Sequence, residues 1–160
     1  AMLALDLHRQ GQLAKQTVVG TVMSNFGLEL AMTKAGITLV RTAVGDRYLL
    51  ERMLADGYNF GGEQSGHFIF LDHNTTGDGL LSALQVLSLM QRTEKPLSEL
   101  AQAMTAVPQV LLNVKVTKKP ILDTVPELQR AIRKGDGKAL QDTFSRTRAI
   151  RKGVIDAKQA

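Results

Sequence analysis

The chain has 160 residues, no cysteine and a net charge of +5. That length makes one ordinary domain, or one domain and a piece of another, with a core that needs no disulfide or metal. The missing cysteines exclude a disulfide framework and a Cys-ligated zinc or iron–sulfur centre.

Residues 2–9 read as the end of a helix, with Leu3, Ala4 and Leu7 on one face and Gly11 as its stop. The opening AMLALDLHRQ has no basic lead and carries Asp6 and His8 within its apolar stretch, so it makes a poor signal peptide. No apolar run reaches the roughly 18–20 residues of a membrane span, and a cytoplasmic protein is expected.

The β-branched run TVVGTVM, 17–23, predicts a strand. Ser24 and Asn25 are cap candidates for a helix over FGLELAMTKAG, closed by Gly36. ITLVRTA, 37–43, predicts a second strand, and Gly45-Asp46 opens a helix that Gly57 closes, with Asp46 expected as its cap. YNFGGE and HFIFL predict two short strands around a polar turn. The long helix that follows, capped by Thr76 or Asp78, is apolar nearly all round (Leu80, Leu81, Leu84, Val86, Leu87, Leu89, Met90), which predicts full burial. Pro96 starts one more helix in its first turn.

Alternating strands and helices predict an α/β fold: a three-layer α/β/α sandwich on a mostly parallel mixed sheet of about four strands, over residues 1–106. Residues 107–160 then form a second piece, entered by a strand over 108–117 and continuing through helix-like VPELQRAIRKG into a tail of little periodicity. The positive charge sits here: residues 1–117 hold 9 Lys/Arg against 10 Asp/Glu, and residues 118–160 hold 11 against 5. Such a tail could neutralise phosphates. Phe144 alone interleaves aromatic character with its arginines, so no stacking platform for single strands is formed, and a solvated surface is the expectation over nucleic-acid binding.

In α/β sheets ligands gather beyond the carboxyl ends of parallel strands. Three loops qualify: Ser24-Asn25, Val44-Gly45-Asp46-Arg47, and Glu63-Gln64-Ser65-Gly66-His67. The third is the richest. Glu63 and Ser65, two apart, can face one side of an extended segment. An ionised carboxylate only accepts and a hydroxyl both donates and accepts, a pairing suited to the adjacent hydroxyls of a polyol. Flanking glycines would let the backbone approach such a ligand, and Arg47 offers a fork for a phosphate. The same residues could equally be a turn satisfying its own amides, with His67 a half-buried histidine. Other chemistries fit poorly. GGEQSG is not a nucleophile elbow, a dinucleotide fingerprint or a phosphate loop. His67, Asp72 and His73 lack the spacing of a zinc site.

The stretch GGEQSGH resembles the sugar-binding loop of the α-D-phosphohexomutases, whose third domain carries G-E-x-S-G. VVGTVMSNFGLELA, TAVGDRYLLERM and LDHNTTGDGLLSALQVL resemble that family's phosphoglucosamine mutase branch, and the likeness runs in order over residues 2–117. The resemblance implies interconversion of glucosamine 6-phosphate and glucosamine 1-phosphate, on the route to UDP-N-acetylglucosamine and peptidoglycan, by a phosphoserine and Mg2+ through a bisphosphorylated sugar. It implies that Glu63 and Ser65 grip ring hydroxyls in either sugar orientation. His67 would stand beside the reacting end, and Gly45, Asp46 and Arg47 would line the same cleft. The family's T-A-S-H-N-P, D-G-D-x-D-R and R-x-S-G-T-E-P loops do not occur in this sequence. The expectation is therefore a sugar-recognition fragment, inactive alone, binding no metal itself, and partnered by hexosamine phosphate and the other domains of its parent. The alternative is a stand-alone sugar-phosphate or protein-binding module.

Overall fold

The computed structural model describes residues 1–109 and, beyond them, Pro126, Gln129 and Arg130, which are helical. The chain divides into two units, Ala1–Gln109 and Val110–Ala160, and every labelled element belongs to the first. The strand expected over 108–117 has only Pro108 and Gln109 among the described residues, neither of them in a strand; the remainder of it, the rest of the helix expected over 125–135, and the basic tail lie outside the described residues.

Residues 1–109 form five α-helices and four strands, in the order α1 (Met2–Arg9), β1 (Thr17–Thr21), α2 (Phe26–Lys34), β2 (Thr38–Thr42), α3 (Asp46–Asp56), β3 (Phe60–Gly62), β4 (Phe68–Phe70), α4 (Gly79–Thr93) and the short α5 (Leu97–Leu100). The strands form one mixed sheet in the order β2-β1-β3-β4. β1 pairs parallel with both β2 and β3, and β4 returns antiparallel against β3. The three-layer α/β/α sandwich with its mostly parallel sheet is the fold expected from the alternation.

The layers follow from strand periodicity. Val18, Phe60 and Phe70 point to one face, where they meet Leu3 and Ala4 of α1, Met32 of α2 and Leu89 of α4. Val19 and Ile69 point to the other, where Leu49 and Met53 of α3 cover them. Phe60 packs against Phe68 and Phe70, with ring centroids 6.3 and 4.8 Å away. Asp6, 7% exposed, accepts from Arg92 and from Gln10 Nε2, which ties α1 to α4.

Four expectations are corrected. The first strand stops at Thr21: Ser24 donates its N–H to the Thr21 carbonyl and closes a turn that turns Val22 out. Asp46 is the first residue inside α3, and Gly45 stands at the cap position. The last helix is a four-residue turn with Pro96 before it, followed by a 3-10 turn over Ala101–Ala103. Finally, α4 is buried on one side only. Leu89 is covered, but Leu80, Leu84 and Leu87 are 74, 55 and 58% exposed. A single sheet face with α1 beside it can cover one stripe of a helix, and spacing of i, i+4, i+7 puts those three leucines on the opposite one.

Candidate functional site

Because β1, β2 and β3 are parallel, the loops after them open on the same edge of the sheet. The chain steps from β1 outward to β2, then crosses back to β3 on the other side of β1. That reversal, with α2 on one face and α3 on the other, makes a crevice at the carboxyl ends of β1 and β3. Glu63 is the first residue beyond β3 and stands there.

The loop from Glu63 to His67 is a closed hairpin turn. The Glu63 N–H donates to the His67 carbonyl at 2.9 Å, and the Gly66 N–H donates to the Glu63 carbonyl at 3.1 Å. Gly62 permits it: a Cβ there would lie 2.4 Å from Phe68 Cδ1 and 2.9 Å from the His67 carbonyl oxygen. The sequence suggested that the glycines serve approach to a ligand; at Gly62 the close neighbour is the protein's own β4.

The side chains then converge from two of the three expected loops. The Gly45 N–H, before α3, donates to Glu63 Oε1 at 2.9 Å. Ser65 Oγ reaches Glu63 Oε2 at 3.4 Å. Gly45 takes φ 129°, a left-handed conformation that glycine adopts without penalty, and this turns its N–H toward the carboxylate. Asp46 brings Oδ1 to 3.5 Å from His67 Nδ1, and both side chains are open to solvent. One ligand-capable atom each of Asp46, Glu63 and His67 lies within 4.8 Å of the others. The carboxylate–hydroxyl pair is therefore oriented and accessible, with an acid and an imidazole beside it.

Three residues of the expected loops do other work. Arg47 Nε pairs with Glu51 Oε1 one turn along α3, at 2.6 Å, and that carboxylate holds the guanidinium above its ordinary pKa. Ser24 is buried, its Oγ accepting from the Thr21 N–H. Asn25 caps α2 through the Gly27 N–H and also accepts from the Val107 N–H. The first loop is thus a structural joint. Arg41 fastens it further by donating to the carbonyls of Thr21 and Ser24 while pairing with Glu29.

One neighbour of the site was read only as part of a helix cap. A Cβ on Gly77 would lie 3.4 Å from Asp46 Oδ2 and 3.6 Å from His67 Cβ. The segment leading into α4 therefore walls the cluster. The signal was present in T-T-G-D-G, but nothing in its spacing relates it to Asp46, 31 positions earlier.

Two hollows lie along the sheet. One of about 410 Å³ sits by Gly11, Lys15 and Gln16, at the amino end of β1, the wrong end of a parallel sheet for a ligand. Another, of about 280 Å³, opens at the carboxyl ends of β1 and β3 themselves: Gly20, Gly62, Glu63 and Gln64 line it together with Met2, Leu28, Phe60 and Phe68. Glu63 brings a carboxylate to otherwise largely apolar walls.

The sequence model of the family described as phosphoglucomutase/phosphomannomutase, alpha/beta/alpha domain III, matches residues 1–107. The phosphoglucosamine mutase of Syntrophotalea carbinolica is 58% identical over 143 residues, covering 89% of this chain and 31% of that protein. The phosphoglucosamine mutase of Geobacter metallireducens is 59% identical over 133 residues, covering 83% of this chain and 30% of its own length. The chain thus spans about a third of the relatives it matches. Among solved structures, an Aspergillus fumigatus N-acetylphosphoglucosamine mutase in complex with GlcNAc-6P and magnesium superimposes with a TM-score of 0.64 over 86% of this chain and 37% of that one. At 18% identity that likeness speaks to the fold alone. A putative phosphomannomutase from Thermus thermophilus gives a TM-score of 0.56 at 25% identity, over 64% of this chain and 24% of its own. With its strand order, its helical layers and its match from residue 1 to 107, the chain belongs to the α/β/α domain III family of the phosphoglucomutases and phosphomannomutases.

Proposed function

We propose that residues 1–106 are the sugar-recognition domain of a phosphoglucosamine mutase, which interconverts glucosamine 6-phosphate and glucosamine 1-phosphate, and that residues 107–160 begin a further domain. The observation that carries this reading is the Glu63 carboxylate at the crevice, oriented by the Gly45 N–H and accompanied by Ser65 Oγ. The 58% identity with a phosphoglucosamine mutase supports the choice of substrate.

In this reading Glu63 accepts from two adjacent ring hydroxyls, and Ser65 donates to or accepts from one of them. A carboxylate has about four acceptor sites, so two remain for hydroxyls after Gly45 and Ser65 are served. The grip acts on hydroxyls and leaves the phosphorylated ends free, so it accepts the sugar in either direction. His67 and Asp46 flank the reacting end, where the imidazole can move a proton or contact the phosphate. Arg47 has to leave Glu51 to reach a phosphate. That pair lies open to solvent, where water and salt screen it, so it costs little to break.

The family's magnesium does not fit here. Mg2+ demands near-octahedral oxygen ligation, and the one three-residue group of ligand-capable side chains among the described residues includes an imidazole. No step is therefore assigned to Mg2+ on this chain. Phosphoryl transfer needs a positioned nucleophile and charge on the transferring group. In the proposal these come from the rest of the parent mutase, and the chain alone is inactive.

The test is steady-state kinetics on the full-length mutase. Glu63→Ala lowering kcat/KM, with Ser65→Ala lowering it less, supports the grip. Unchanged kinetics in both variants would make the loop structural and favour a non-catalytic binding module.

A further inference from the structure

Beside Glu63, Asp46 and His67 face each other with no other side-chain hydrogen bond among the described residues. Their separation, 3.5 Å between Oδ1 and Nδ1, is long for a hydrogen bond. It is close to another distance. Two ligand atoms each about 2.0–2.1 Å from a tetrahedral zinc ion stand roughly 3.3–3.4 Å apart. Glu63 supplies a third ligand-capable atom within 4.8 Å of both, so the exposed Asp46 and His67 side chains have to close on it by about an ångström to reach zinc spacing. The three residues come from separate places: the first turn of α3, the end of β3 and the start of β4.

We infer that Asp46, Glu63 and His67 form a binding site for a borderline divalent transition ion such as Zn2+, distinct in chemistry from the family's magnesium. Two carboxylates and one neutral imidazole are a mixed oxygen–nitrogen set that suits zinc and disfavours Mg2+. The two negative charges offset the partial positive charge, about half a unit, at the amino end of α3. Three protein ligands leave a fourth position open to water or a substrate oxygen, and the exposure of His67 and Asp46 gives the ion a path in. Ser65 can turn its hydroxyl toward the carboxylate oxygen that the ion leaves free. The same Glu63 carboxylate would serve the ion and the sugar, so the two occupancies exclude one another.

The site is independent of the sugar reading, and so is its test. Zn2+ is titrated calorimetrically into the 160-residue chain in the absence of sugar and phosphate. The expected result is one ion per chain, with affinity falling at least about tenfold in Asp46→Asn and in His67→Gln, since losing a ligand costs no less than losing a group that orients one. His8→Gln and His73→Gln remove the only other histidines and leave binding unchanged. In the imidazole nitrogen spectrum, His67 Nδ1 shifts on zinc addition and the nitrogens of His8 and His73 do not. Circular dichroism of each variant separates lost ligation from lost fold. No one-to-one binding below about 1 mM, a threshold of roughly −4 kcal/mol, overturns the inference. So does binding that survives His67→Gln in a folded chain, or that disappears with His73→Gln. Failure of the zinc titration leaves the hydroxyl grip of Glu63 standing, and unchanged kinetics in Glu63→Ala leave the zinc site standing.

Discussion

At the scale of single residues, the site is built on one carboxylate and the groups that aim it. If Glu63 grips the sugar as proposed, its removal from a full-length mutase deletes charged hydrogen bonds worth about 1.5–3 kcal/mol, so kcat/KM for Glu63→Ala should fall by about ten- to a hundredfold. Ser65→Ala deletes a neutral hydroxyl and should cost about 0.5–1.5 kcal/mol. Gly45 is the less obvious position. Its φ of 129° is strained for any other residue, and its N–H holds Glu63 Oε1. Gly45→Ala should therefore destabilise the chain by about 1–3 kcal/mol and also raise KM, because a relaxed backbone turns the N–H away. Denaturant unfolding measures the first effect and kinetics the second. A loss of stability with unchanged KM would show that Glu63 does not need this donor. Most of these residues were legible as types in a row: Glu63, Ser65 and His67 share one loop. Their link to Gly45 and Asp46, and the wall made by Gly77, were not, because those contacts span 18 to 31 positions of chain.

At the scale of elements, capping and burial make sharper demands than periodicity did. Asp78 Oδ1 accepts from the Leu81 N–H at 2.9 Å and starts α4. Asp78→Ala should lower stability by about 1 kcal/mol, read by chemical denaturation. The apolar surface of α4 divides in two, and a matched pair of substitutions tests the division. Leu89→Ala, at a buried site, should cost about 2–5 kcal/mol. Leu84→Gln, on the exposed stripe, should stay within about 0.5 kcal/mol of the parent chain. Equal losses from the two would mean that both stripes of α4 are covered. Helix type was plain from caps and spacing in α2, α3 and α4. How far each is buried was not, since an all-round leucine pattern does not say how many neighbours are available to cover it. The cap of α3 shows the same limit from the other side: aspartate is a good capping residue, but Gly45, with its extended left-handed backbone, takes the position and sends Asp46 into the first turn toward His67.

At the scale of the whole molecule, the proposed parent mutase uses this fold as one wall of a cleft. The chain spans 31% of a phosphoglucosamine mutase to which it is 58% identical, so the remaining walls belong to other domains in the proposed parent. Incubated with glucosamine 6-phosphate, Mg2+ and catalytic glucose 1,6-bisphosphate, the purified chain is expected on the proposed reading to form no glucosamine 1-phosphate above the blank, because T-A-S-H-N-P, which would donate the phosphoryl group, does not occur in its sequence. Turnover in a preparation free of host mutase would place a complete active site within these residues. Among the described residues no helix is long and apolar enough to cross a membrane.

The sequence by itself determined the alternation of strands and helices, and hence the α/β layers, because side-chain periodicity and terminal caps act over a few neighbouring residues. It also contained the polar turn after β3, since that chemistry is contiguous. Only the tertiary structure decided the strand order β2-β1-β3-β4, and with it the reversal that opens a crevice at Glu63. Pairing partners are chosen by packing on both faces at once, and no local pattern encodes that choice. The tertiary structure likewise separated the three loops that looked equivalent along the chain. Ser24 was drawn into the turn at Thr21, and Asn25 into a joint with Val107. Gly45 and Asp46 were carried across the end of the sheet to Glu63 and His67, because the crossover through α3 places them beside a strand that the sequence does not reach until Phe60.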